Sequence, residues 1–250
     1  MMVLVISGVL IGMGIIRETL MGYPPQTERY QLQIQLTEEE LENILVLHII
    51  DETDAEAFGV PESPPEPVNY PPANISKVSL GVHGKYLYVK FEFFGELPEQ
   101  KEDQIVKITA VILLDKDCNY STGWVGIDAV IGLVIEWDEN GQLSYGFSMV
   151  YNIPDTPNLE DEQWAVQQAV DAGYQINLPH MGGPGYNYFV IQIPMDLLGL
   201  QSDKQVIMEI HAEAASVEYE HYFFDSVKNS QYNYEGPGQQ YGEALKITLP

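Results

Sequence analysis

The first twenty-three residues, MMVLVISGVLIGMGIIRETLMGY, constrain this chain more than any other stretch. Met1 to Ile16 carries no charge and consists almost wholly of Met, Val, Leu, Ile and Gly. A helix of that composition has no polar face, so it requires apolar surroundings on every side. Arg17 and Glu18 interrupt the run, Thr19 to Tyr23 resume it, and Pro24-Pro25 ends any helix, because proline lacks the amide donor and clashes with the preceding turn. As a helix the stretch would be roughly 33 Å long, near the thickness of a bilayer's hydrocarbon core.

Three readings fit such a stretch. A cleaved secretory signal has a basic leader and a small-residue cleavage site. No Lys or Arg precedes this run and no A-x-A-like site follows it. A permanent anchor would hold Arg17 and Glu18 near one membrane edge, with an uncharged run at the short end for a span. The third reading is a helix that packs against copies of itself through Val3, Leu4, Val5, Ile6, Val9, Leu10, Ile11, Met13, Ile15, Ile16 and Leu20. In this last form the stretch resembles the N-terminal helix of archaeal type IV pilins, whose leader is cut on the cytoplasmic side and whose apolar helix becomes the filament core. Bacterial type IV pilins carry Glu at the fifth position of the mature chain, whereas Val5 stands here. The resemblance covers about twenty-five residues. It implies a homo-oligomer, a helical polymer of identical subunits that meets a membrane only before assembly and is then extracellular, on the cell surface.

Charge narrows the partners. Thirty-seven acidic residues against eleven basic ones leave a formal charge of −26 over 250 residues. That field repels nucleic acid and anionic lipid and attracts cations. It also drives identical subunits apart unless metal ions or strong apolar contacts oppose it. Cys118 is the single cysteine, so no intrachain disulfide exists, and stability must come from the core, ions or assembly.

Beyond the Pro24 to Glu28 hinge, Tyr30, Leu32, Ile34 and Leu36 alternate with Arg29, Gln31, Gln33 and Gln35, the period of a half-buried strand. This strand can pair within its own sheet or add to a neighbour's edge. Thr37 followed by Glu40 forms the capping-box pattern of a short helix, and Leu45 to Ile50 reads as a strand. Asp51 to Pro72 collects acids and prolines and reads as a long solvated linker. The expected organisation is therefore an apolar helix over 1–23, a hinge, strand and acidic proline-rich segment over 24–72, and a β domain over 73–250. In that last part, nine or more short strands with turn signals between them, Asn140-Gly141 among them, indicate an antiparallel sandwich. A single helix is expected over Asp161 to Ala172.

The motif content lies in LLDKDCNYSTGWVGIDAVI, residues 113–131. Asp115, Asp117, Asn119 and Ser121 alternate, and Gly123, Gly126 and Asp128 follow. Oxygen ligands so spaced on a curled loop converge on one hard cation, calcium being the expected ion, with Asp115, Asp117, Asn119 and Asp128 as ligands. The EF-hand pattern is absent, since Tyr120 holds the glycine position and no terminal Glu follows. The same spacing also suits a cluster of Asx turns that satisfies only its own backbone.

Three segments, ISKVSLGVHGKYLYVKFEF, VILLDKDCNYSTGWVGIDAVI and YFVIQIPMDLLGL, resemble in order and spacing the DOMON-like β-sandwich domains, which include family 9 carbohydrate-binding modules. The match spans about residues 75–215 and departs from the pattern at Lys116 and Cys118. It implies an immunoglobulin-like sandwich used for sugar, for haem or as a structural module. Sugar binding, with a surface polysaccharide as partner, needs exposed aromatic platforms, for which Trp124, Trp137 and Trp164 are the candidates. Haem needs axial ligands, and His83 and Met149 stand isolated.

Catalytic patterns are weak, and no enzymatic role is expected. His211 and Glu213 would share one face of a strand as a metal pair or, more simply, as the polar exposed face of an edge strand. Gly182-Gly183-Pro184-Gly185 lacks the strand-to-helix context of a phosphate cradle. Asn74 and Asn119 head N-glycosylation sequons, and at Asn119 a glycan and a buried cation exclude one another.

Overall fold

A computed structural model describes residues 33–52, 68–102, 104–158, 161–219, 222–234 and 244–250. The proposed assembly residues Val3 to Leu20 lie outside the described residues, as does the stretch from Arg29 to Leu32. Among the described residues no helix is long and apolar enough to cross a membrane.

The chain is mainly β and its sheets are antiparallel. The first sheet has five strands in the order β1-β2-β3-β9-β8: β1 (Leu47–Ile50), β2 (Ile75–His83), β3 (Tyr86–Phe93), β8 (His180–Gly182) and β9 (Tyr188–Pro194). The second has eight, with β12-β13-β10-β4-β5-β6-β7 in order and β11 paired to β10. Its members are β4 (Ile105–Asp115), β5 (Ala129–Trp137), β6 (Leu143–Tyr151), β7 (Gln175–Asn177), β10 (Gln205–Ser216), β11 (Phe223–Ser226), β12 (Asn233–Tyr234) and β13 (Ala244–Thr248). Among the described residues the α-helices are short: α1 (Glu38–Ile44), α2 (Glu162–Asp171) and α3 (Met195–Leu198).

The two sheets stack face to face. Val78, Leu80, Val89, Phe91, Phe189 and Ile191 from the first meet Ile108, Ile112, Ile131, Leu133, Met208 and Ile210 from the second in one buried core. Phe91 and Phe189 stack with ring centroids 4.7 Å apart. The expected β-sandwich is thus the fold, with a second layer added on one outer face. The outer residues of β4 and β5, Val111, Leu113 and Val130, are covered by Trp124, Val125 and Ile127 of the loop after β4 and by Ala165, Val166 and Ala169 of α2. A strand buried on both faces does not alternate, which is why ITAVILL reads as a continuous apolar run.

The unit begins earlier than the sequence indicates. β1 pairs with β2 across the acidic segment, with Leu47 opposite Leu80 and Ile50 opposite Lys77. Gln33 forms a parallel bridge with His180, and the Ile34 amide donates to the His180 carbonyl at 3.2 Å, so the chain meets the first sheet at its β8 edge. For the residues described, this is pairing within the chain's own sheet.

α1 carries the expected capping box: Thr37 Oγ1 accepts from the Glu40 amide at 3.2 Å, and Glu40 Oε2 accepts from the Thr37 amide at 2.8 Å. Its Leu41, with Leu45, packs on Tyr88 and Val190, the outer face of the first sheet. The approach is close at Gly81, where a Cβ would stand 2.1 Å from the Ile44 carbonyl oxygen. Gly81→Ala should therefore lift the end of α1 and cost about 1–3 kcal/mol in denaturant unfolding. Gly146→Ala, where a Cβ meets nothing within 4 Å, is the matched control and should stay within about 0.5 kcal/mol.

Candidate metal centre

The site grows from the end of β4. The strand delivers Asp115 onto the outer face of the second sheet, opposite Ile207 of β10. The chain then curls through residues 116–128 and returns to begin β5. Thr122, Gly123 and Trp124 knit the return: the Gly126 amide donates to the Thr122 carbonyl at 2.9 Å and the Trp124 amide to the Ile127 carbonyl at 2.9 Å. Gly123 has φ +58, and a Cβ there would stand 2.0 Å from the Ile127 carbonyl oxygen, so no other residue fits without moving the loop. Asp155 accepts from the Gly123 amide at 2.8 Å and fastens the loop to the segment before α2.

Asp115, Asp117 and Asp128 converge. Each offers a carboxylate oxygen, and these oxygens lie within 4.8 Å of one another. Two oxygens so separated can each stand about 2.4 Å from one cation, the ordinary calcium–oxygen distance. A metal ion could therefore be held here. Asp115 and Asp128 are buried, at 6% and 4% exposure, while Asp117 lies at the surface.

The same carboxylates also organise the backbone. Asp115 Oδ1 accepts from the amides of Asp117 and Asn119, each at 3.2 Å, and Asp117 Oδ1 accepts from the Asn119 amide at 3.0 Å. Asp128 Oδ2 accepts from the Lys116 amide at 2.9 Å, and the Lys116 ammonium stands 3.6 Å from Asp128 Oδ1. The two readings of the motif are thus compatible: Asx turns shape the loop, and the shaped loop gathers the carboxylates. Asn119 is exposed, and its Oδ1 accepts from the Ser121 amide at 3.1 Å.

Electrostatics favours a positive guest. Burial pushes Asp115 up to about 6, aided by the charges of Asp128 and Asp117 and opposed by the two amides it accepts from. Burial likewise raises Asp128, with the Lys116 amide and ammonium opposing. Both are carboxylates that a proton or a cation would relieve.

Other sequence candidates fare differently. His211 and Glu213 do share a face, but β10 runs inside its sheet between β4 and the pair β13 and β11, and both side chains are buried. The expected exposed edge strand is therefore corrected: the row is polar yet interior, with Thr109 Oγ1 donating to Glu213 at 2.8 Å and the His211 ring stacked on Phe224. Trp124 and Trp137 are core residues, leaving Trp164, 51% exposed on α2, as the open tryptophan. His83 is exposed at the end of β2, whereas Met149 is buried in the core, so they do not form a ligand pair. Gly182 to Gly185 turns from β8 into β9, a strand and not a helix. Asn74, at 6% exposure, offers no open amide for a glycan in the folded chain; Asn119 does.

One buried charged position lies outside every motif of the sequence. Asp225 lies within the apolar strand FFDS and is 1% exposed. A carboxylate directly after the apolar pair Phe223-Phe224 is the available signal. Comparison with family models and with curated proteins gave no match for this chain.

Proposed function

We propose that this protein is the structural subunit of an extracellular cell-surface filament, polymerising through its N-terminal apolar helix and presenting the acidic sandwich outward. The observation that carries this reading is the uncharged run Met1 to Ile16, joined to a unit whose two sheets bury their apolar faces against each other. Bundling such helices along an axis removes their surface from water, at about 25 cal/mol per Å². In this reading the sandwich is of the immunoglobulin-like, DOMON-like kind and serves as a structural module without catalysis. Calcium is the ion of the Asp115–Asp117–Asp128 centre, where it stiffens the loop and offsets part of the −26 charge that drives subunits apart.

A second reading draws support from the Gln33–His180 bridge, which shows that the β8 edge of the first sheet accepts this segment of chain as a partner. There, residues 29–36 of a neighbouring subunit would take the place of the chain's own Gln33 and Ile34 and build a tubule or sheath by strand exchange. A membrane-anchored carbohydrate-binding module is less favoured, since two of its three candidate tryptophan platforms are buried.

Electron microscopy of the protein isolated from cells without detergent tests the proposal. Uniform filaments are expected from the full chain, and none after deletion of residues 1–23. Assembly that survives this deletion would transfer the interface to the strand-addition edge, and dispersed particles from the full chain would overturn assembly altogether.

A further inference from the structure

The seam where the two sheets meet at β1 and β11 contains a second group of carboxylates, unrelated to the metal centre and independent of the filament reading. Asp225 is carried on β11 with its side chain inward, opposite Ala212 of β10. Its Oδ2 accepts from the Ile75 amide at 2.7 Å, so this one carboxylate ties the second sheet to the first residue of β2. Its Oδ1 is buried and has no hydrogen-bond partner among the described residues. Over it lies a clasp between residues 50–52 and 228–230. The Lys228 amide donates to Asp51 Oδ1 at 2.9 Å, the Glu52 amide to the Lys228 carbonyl at 2.9 Å, Asn229 Nδ2 to the Ile50 carbonyl at 2.8 Å, and the Ser230 amide to Glu52 Oε2 at 2.9 Å.

We propose that Asp225 is a proton-linked latch: a proton on this buried carboxylate closes the seam between the two sheets, and its loss at higher pH loosens the clasp and the start of β2. The groups facing Asp225 account for this behaviour. The residue after β1 is Asp51, of like charge, and the clasp presents Lys228, which opposes it. β2 presents the Ile75 amide and β10 the apolar Ala212. The turn before β2, Pro71–Ala73, is flanked by Tyr70, whose hydroxyl is committed to Glu102 at 2.8 Å, and by the buried Asn74. Lys228 is the one cation among these groups, and it is half-buried. Burial first, and then the Asp51 charge, push Asp225 up to about 7, against the pull of the Ile75 and Ser226 amides and of Lys228. The sign follows directly. A carboxyl group whose folded pKa is raised binds its proton more tightly in the closed state, so closure is favoured below that pKa and weakened as pH rises through it.

Hydrogen exchange of the full chain, read at the Ile75 and Lys228 amides, tests the latch, with the Asp117 and Asn119 amides reporting the metal loop separately. After correction for intrinsic exchange, protection at Ile75 and Lys228 should fall by up to about tenfold per pH unit between about pH 5 and pH 7, then level off. Asp225→Asn should flatten that profile. Should Asp225→Asn fail to fold, Asp51→Asn decides: with the like charge gone, Asp225 titrates lower and the levelling moves to lower pH. Flat protection in the parent, an unchanged slope in Asp225→Asn, or an unmoved profile in Asp51→Asn would each overturn the proposal.

Discussion

Calcium in roughly hundredfold excess over its dissociation constant should stabilise the folded chain by about 2.7 kcal/mol, which for a protein of this size raises the melting temperature by roughly 5–10 °C. The double substitution Asp115→Asn and Asp117→Asn should erase most of that gain, and in chelator at neutral pH the variant should melt no lower than the parent, because the buried Asp115 charge is gone. Asparagine carbonyls can still accept from the Asp117, Asn119 and Thr122 donors that shape the loop, so the Asx turns survive. What is lost is the pair of negative oxygens beside Asp128. Magnesium should do much less, because it demands near-octahedral geometry and gives up its water reluctantly. Thermal unfolding of parent and variant, each with calcium and with chelator, provides the comparison. Equal melting of the parent in both conditions would sink the calcium assignment and leave the loop as a purely structural device.

The second large effect is an inverted response to pH. In chelator, the chain should melt several degrees higher at about pH 5 than at about pH 8. Asp115 titrates at about 6 and Asp225 at about 7 in the folded chain, and Asp128 is raised as well, each chiefly by burial. Between the unfolded value of 3.8 and these folded values, the folded chain holds protons that the unfolded chain does not. Their contribution is complete below the unfolded pKa and is lost as pH rises through about 6 and 7. Groups of the opposite kind bound the window from the acid side. Asp138 is lowered by the Gln142 and Asn140 amides, and Asp161 by Thr156 and Asn158, so what they contribute disappears as pH falls below the ordinary carboxylate range. Stability should thus peak in mild acid. Calcium should reshape the profile, since a bound cation requires Asp115 and Asp128 ionised: its benefit should be full above pH 7 and vanish on acidification past about 6. A chelated chain that melts lower at pH 5 than at pH 8 would contradict the burial of these carboxylates.

Local features were the most legible in the sequence. The Thr37–Glu40 box, the Asn140-Gly141 turn and the helix near residues 162–171 form because neighbours in sequence satisfy one another's backbone. The alternation of Asp115, Asp117 and Asn119 likewise marked the candidate centre, since a curled loop brings such residues together whatever surrounds it. Two features resisted. The polar His211 and Glu213 suggest an exposed edge, yet β10 runs inside its sheet, with Thr109 and Phe224 as partners for that row. Strand order depends on pairing between residues such as Glu213 and Thr109, more than a hundred positions apart, and no periodicity encodes it. The hinge and acidic prolines between Pro24 and Pro72 read as a span preceding the sandwich, although β1 within it joins the first sheet by pairing with β2 across the acidic segment.

By itself the sequence determined the class of fold, the acidic surface, the absence of an intrachain disulfide, and the loop in which carboxylates gather. All of these follow from composition or from spacings of a few residues. Only the tertiary structure decided which polar residues lose their water. Burial depends on what the rest of the chain stacks above a residue, and that is how Asp115, Asp128 and Asp225 become carboxylates with raised pKa values while Asp117 and Asn119, in the same run of acids and amides, stay at the surface.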